Sequence, residues 1–118
     1  MFEENRRRYP RANYPCYLTI WMTDGTNETI LANTSNIGVG GLCVSLNHSL
    51  QLGILVDIQL HFPGNSTPLK CQGKVLRSIA ESERFFNIGI EFKPLSELQH
   101  AFVESKVSDL MALEKGKS

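Results

Sequence analysis

Four arginines fall within the first eleven residues, at Arg6, Arg7, Arg8 and Arg11, and no further Lys or Arg occurs before Lys70. The chain balances twelve basic against twelve acidic residues, so this cluster is a local concentration of charge on a neutral background. A guanidinium is flat and presents its donors as a rigid fork, which matches phosphate oxygens and the O6/N7 edge of guanine. A short dense strip of this kind suits one small anionic ligand better than long nucleic acid, which needs basic residues spread over a face. Within the strip, Arg7-Arg8-Tyr9-Pro10-Arg11 has the spacing R-x-x-x-R. Pro10 fixes its own φ and pushes Tyr9 toward extended backbone, so a semi-rigid loop enters the first strand. In extended backbone, Arg7 and Arg11 project to one side, about 13 Å apart at their Cα atoms.

A second polar run, Asn33-Thr34-Ser35-Asn36-Ile37-Gly38-Val39-Gly40-Gly41, ends in glycines. Short polar side chains followed by glycines bring hydroxyls and backbone amides close to an anion, because glycine admits positive φ and close backbone approach. Taken singly, each segment has a plainer reading. The arginines alone are equally a solvated arm, and the glycines alone are a barrel corner or bulge.

The elements that must position these residues are mostly strands. Period-two alternation runs from residue 16 to residue 92. Cys16, Leu18, Ile20 and Met22 alternate with Tyr17, Thr19, Trp21 and Thr23, and Asp24-Gly25 supplies a hairpin turn. A second strand spans about 28–35 and leads into a bend at Gly38, Gly40 and Gly41. Leu42, Val44 and Leu46 mark a third strand, and Val56, Ile58, Leu60 and Phe62 a fourth. Leu69, Cys71, Gly73 and Val75 mark a fifth, and Phe86, Ile88, Ile90 and Phe92 a sixth. After Pro94 the period changes. Ser96-Glu97-Leu98-Gln99 reads as a capping box, followed by Leu98, Phe102, Val103, Val107, Leu110 and Leu113 at helical spacing. Six short antiparallel strands with one apolar face each close most simply into a barrel, which removes the sheet edges.

At 118 residues the chain fits one domain with a real core. Its apolar stretches are far shorter than the roughly 20 residues of a membrane helix, so no membrane span and a cytoplasmic location are expected. Cys16, Cys43 and Cys71 are odd in number and widely spaced, which favours free thiols. His48, His61 and His100 lack metal-ligand spacing. No nucleophile, base and orienter stand in a recognisable arrangement, so no enzyme and no cofactor are expected.

The arginine loop and the glycine-ended run, in this order and followed by this strand pattern, resemble the PilZ domain, a bacterial receptor module for cyclic di-GMP (c-di-GMP). That family has an R-x-x-x-R loop before the first strand and a [D/N]-x-S-x-x-G turn some twenty residues later. The likeness extends through Leu52-Gly53, Gly73-Lys74-Val75 and Phe86-Asn87-Ile88-Gly89-Ile90-Glu91-Phe92.

The resemblance implies an all-β-dominated fold, a six-stranded antiparallel PilZ-type β-barrel with a C-terminal α-helix. It forms one domain over 1–118, with the arginine-rich loop at 1–15, the barrel at 16–93 and the helix at 96–113. It implies a c-di-GMP receptor that passes the signal on through an unidentified protein partner. No nucleic acid is expected, and a homodimer is left open. The alternative is a degenerate PilZ-like interaction module, related to motility or pili, that binds nucleotide weakly or not at all. The ligand set implied is Arg6, Arg7, Arg8 and Arg11 with Asn33, Ser35, Asn36, Gly38 and Gly41.

Two registers of the second motif are open. Asn33-x-Ser35-x-x-Gly38 satisfies the pattern literally, whereas Asn36-x-Gly38-x-x-Gly41 puts glycine in the serine position. The phase of Leu42, Val44 and Leu46 favours the second, and with it a missing hydroxyl and weakened binding.

Overall fold

The computed structural model describes residues 11–22 and 29–116. Arg6, Arg7 and Arg8 and the expected Asp24-Gly25 turn lie outside the described residues. In chain order the elements are β1 (Arg11–Ala12), β2 (Tyr17–Met22), β3 (Thr29–Gly38), β4 (Gly41–Leu46), β5 (Leu55–His61), β6 (Leu69–Ala80), β7 (Phe86–Phe92) and α1 (Glu97–Gly116). Six strands close a ring in the order β3, β2, β5, β6, β7, β4, with β4 returning to β3, and every pairing is antiparallel. Closure leaves no open edge inside the ring.

The alternation of the sequence dictates what fills it. Leu18, Ile20, Leu42, Val44, Val56, Ile58, Leu60, Val75 and Ile88 point inward and are fully buried or nearly so. Each contributes about 1.5–3 kcal/mol by leaving water. Gly73 lies on the same inner face because a Cβ there would run into the Ile90 side chain and crowd Ile58.

α1 begins where its cap demands. Gln99 donates its backbone N–H to Ser96 Oγ at 3.1 Å, and the Ser96 N–H donates to Gln99 Oε1 at 3.2 Å. The helix seals one end of the barrel through Val103, Val107 and Leu110, with Phe102 edge-on to Phe62 at 5.8 Å between ring centroids. No described helix is long and apolar enough to cross a membrane.

Four expectations change. A seventh strand, β1, lies within the segment expected to be loop, too short for any periodicity to reveal. β3 continues to Gly38, so the turn before β4 is only Val39-Gly40. β6 runs past Val75 to Ala80, aided by an irregularity in its pairing with β7 between Val75 and Arg77. The helix extends beyond Leu113 to Gly116, and Leu98 is turned outward, 85% exposed. The five-residue step from Leu98 to Val103 turns about 140° around the axis, which removes Leu98 from the packed face.

Candidate ligand-binding site

β1 lies antiparallel to the end of β3, with Arg11 opposite Gly38 and Ala12 opposite Ile37. Ala12 and Ile37 are completely buried, and this pair pins the short strand to the core. Strand alternation then sends Arg11 to the outer surface. There its Nη1 donates to Asn36 Oδ1 at 2.7 Å, a short charge-assisted hydrogen bond.

Asn36 reaches that position because of a bulge. From Ile30 through Ala32 to Thr34 the inward set of β3 follows strict alternation, which would turn Asn36 inward. The pairing of β3 with β4 shifts between Thr34 and Asn36, so Ser35 is the extra residue. The phase flips: Thr34 and Ile37 are buried, Ser35 is exposed and Asn36 is half-buried on the outer face. A bulge re-aims a side chain in this way at modest cost. Thr34 is held from inside, its Oγ1 accepting from the Cys16 amide and its own amide donating to the Cys16 carbonyl, both at 2.9 Å. Ser35 Oγ donates to the Cys43 carbonyl at 3.2 Å.

The sequence-derived candidates therefore separate. Arg11, Asn36 and Gly38 come together, with Ser35 at the bulge beside them. Asn33 is exposed opposite Tyr17 on β2, five residues before Gly38, or about 16 Å along the strand. Gly41 opens β4 opposite Glu91, and its lack of a side chain has a steric reason: a Cβ would collide with the Ile90 carbonyl oxygen. Positive φ is not what this bend uses. Among the described glycines it occurs at Gly53 (84°) and Gly64 (78°), in the loops on either side of β5.

The outer face continues across the sheet to a residue the sequence did not single out. Cys43 pairs with Asn36 on one side and with Gly89 on the other, and Gly89 faces Arg77 on β6. Arg77 lies flat over Gly89, its Nε donating to Asn87 Oδ1 at 2.9 Å and its Nη2 to Cys43 Sγ at 2.8 Å. Three inter-strand steps separate Asn36 from Arg77, about 14 Å. A strip thus runs from Arg11 over the Asn36 amide to Cys43, where the Arg77 guanidinium, reaching back over Gly89, closes it. In sequence Arg77 looks like any solvated strand residue; its signal is the glycine opposite, which only register reveals.

The thiols are shielded. Burial pushes Cys16 up to about 11, partly offset by its hydrogen bond to Thr34, and burial alone pushes Cys71 up to about 11. No disulfide joins the three cysteines, and no cluster of three metal-ligating side chains forms among the described residues.

A family model described as "PilZ domain" matches residues 5–109, which takes in the arginine loop, the ring and most of α1. The chain belongs to the PilZ domain family. No curated protein matches it by sequence. Among solved structures, this PilZ domain is similar to that of YcgR from Escherichia coli, determined with c-di-GMP. The identity is 17%, with 95% of this chain and 96% of that one covered and a TM-score of 0.74. It is similar to the MrkH–c-di-GMP complex of K. pneumonia at 19% identity, over 96% of this chain and 56% of that one, with a TM-score of 0.75. It also matches the Bacillus subtilis inhibitor of motility MotI/DgrA at 18% identity and a TM-score of 0.74, over 91% of this chain and 51% of that one. The PilZ domain described here therefore spans about half the length of MrkH and MotI. At these identities the likeness establishes the fold.

Proposed function

We propose that this PilZ domain is a c-di-GMP receptor that acts through protein contacts, without catalysis, in the cytoplasm. The observation that carries the reading is the Arg11–Asn36 pair on the outer face of β1 and β3. An arginine whose fork is already oriented by an amide meets a doubly charged ligand with planar guanine edges at less loss of side-chain freedom. Arg6, Arg7 and Arg8 precede it in the family's loop and would supply the remaining cations. Asn36 would accept from a guanine edge, and Gly38, buried opposite Arg11, would lie beneath the ligand-facing pair. Ser35, Gly41 and, in the literal register, Asn33 complete the candidate set. Cys43 and Arg77 bound the strip on its far side. The structural relatives solved with c-di-GMP share the fold and support the choice of ligand class.

The second reading, a degenerate module working only through protein contacts, is favoured by one observation. Gly38, not a serine, faces Arg11. Calorimetric titration of the full chain with c-di-GMP, with GTP and linear di-GMP as controls, separates the two. Dissociation constants in the micromolar range or tighter for c-di-GMP alone are expected. Flat titrations at about 100 µM protein, the level that detects about −5 to −6 kcal/mol, overturn the receptor reading in favour of the degenerate module.

A further inference from the structure

Glu114 is in the wrong place for an ordinary helix residue. It lies in the last turn of α1, where the macrodipole is negative and a carboxylate is disfavoured. Its compensation comes from the other end of the chain. Glu114 Oε1 accepts hydrogen bonds from the backbone amides of Asn13 at 2.6 Å and Tyr14 at 3.2 Å. Those two amides belong to the link between β1 and β2, where the chain leaves β3 before rejoining it at the Cys16–Thr34 bonds. A backbone segment that leaves a sheet must satisfy its donors elsewhere, and here a helix side chain does so.

The position of the bridge gives it a role beyond that. Asn13 follows directly on β1, the strand whose register against β3 brings Arg11 to Asn36. On the helix side, Leu110 is buried, while the face from Glu104 and Val107 to Lys115 borders a groove of about 480 Å³. The groove is lined by Ser108, Met111 and Lys115 and, across from them, by Val39 of the turn that follows Gly38. The end of α1 and the turn beside the candidate site thus meet across open space, and Glu114 is a polar tie between the helix and the arginine strand.

We propose that Glu114 is a positioning residue that latches the arginine strand to the end of α1, so that site occupancy and order in the last helical turns reinforce one another. The coupling rests on reading the site as a c-di-GMP site; the latch does not. Linkage makes the effect reciprocal: whatever factor the latch adds to ligand affinity, ligand returns to the helix end. A partner that grips α1 would then sense c-di-GMP through two backbone amides.

The test compares the full chain with Glu114→Ala and Glu114→Gln by amide hydrogen exchange and by c-di-GMP titration. Without ligand, the Asn13 and Tyr14 amides of Glu114→Ala exchange about tenfold faster than those of the parent. Glu114→Gln, which keeps a neutral acceptor and disturbs the fold least, lies between. Affinity for c-di-GMP falls about tenfold in the Ala variant and less in the Gln variant. In the parent, ligand also slows exchange over residues 110–116, and in Glu114→Ala that slowing is lost.

Alanine is the best helix former and removes a carboxylate from the negative helix end, so a purely intrahelical role predicts an unchanged or firmer helix and unaltered amides. Unchanged exchange at Asn13 and Tyr14 in both variants overturns the latch. Faster exchange with undiminished affinity overturns the coupling. A flat titration of the parent overturns the function and the coupling, while the ligand-free exchange rates still decide the latch.

Discussion

Arg11→Ala removes the guanidinium while leaving Ala12, the residue that anchors β1 in the core, in place. For stability, the change deletes one part-buried hydrogen bond of 2.7 Å to Asn36 and no buried apolar group. Although charge-assisted, the bond is half open to water, which can replace either partner. It therefore contributes about 0.5–1.5 kcal/mol and lowers the midpoint of thermal unfolding by about 2–8 °C for a domain of this size. For binding, the loss is of charge-assisted hydrogen bonds to phosphate or guanine, about 1.5–3 kcal/mol. That weakens the dissociation constant roughly 10- to 150-fold. Asn36→Ala leaves the cation but removes what aims it, along with the amide's own contact to ligand. The two changes therefore do not add: in the Arg11→Ala background Asn36→Ala has a smaller effect, with a coupling of about 0.5–2 kcal/mol. Calorimetry gives the four affinities and circular dichroism melts confirm that each variant is folded. An Arg11→Ala protein that unfolds, or that binds as the parent does, refutes the role. Strict additivity of the pair refutes the argument from their hydrogen bond.

The remaining predictions concern register, packing and protonation. If Gly38 holds the family's serine position, Gly38→Ser strengthens c-di-GMP binding by restoring a hydroxyl beside Arg11, and Ser35→Ala is nearly silent; a clear loss of affinity in Ser35→Ala sinks that register. Gly41→Ala lowers stability by about 1–3 kcal/mol, because its Cβ meets the Ile90 carbonyl oxygen, whereas Gly40→Ala, with nothing within 4 Å of the added carbon, barely moves the melt. Equal melting temperatures for these two would show that β4 and β7 are not so close. Stability falls between about pH 9 and 11. The unfolded thiols release protons near 9.0, while Cys16 and Cys71 in the fold hold theirs up to about 11, so the unfolded state binds fewer protons in this window. Urea midpoints that stay level from pH 8.5 to 10.5 in the parent, or that decline no less in a Cys16→Ala, Cys71→Ala double variant, contradict this.

The barrel and the helix start were legible because their signals are local and repeated. Inward residues recur at every second position within strands such as β2, β5 and β7, and Ser96 with Gln99 forms the reciprocal cap that the sequence describes. The candidate surface was legible only in its residue types. The bulge at Ser35 has no composition of its own, so alternation read along β3 turns Asn36 the wrong way. β1 has two residues, and a buried alanine beside an arginine is no pattern. Arg77 gains meaning from Gly89 lying opposite, a fact of pairing between distant segments. Glu114 did carry a readable oddity, an acid at the negative end of a helix, but the amides that explain it lie about one hundred residues upstream.

β1 is joined to β3 outside the closed ring of six strands. Lifting it away breaks the pairing of two residues and exposes Ala12, yet every pairing that closes the barrel survives. Releasing those residues also regains about 1–2 kcal/mol of backbone entropy each, so the cost of detachment is local. The short strand and the ring are in this sense separable parts of the fold. Substitution of Arg11 leaves every pairing of the ring in place, whereas substitutions on the inner face weaken the packing that holds the ring together. On the proposed function, a lineage could then change its ligand affinity at Arg11 while the six-stranded ring passed on unaltered.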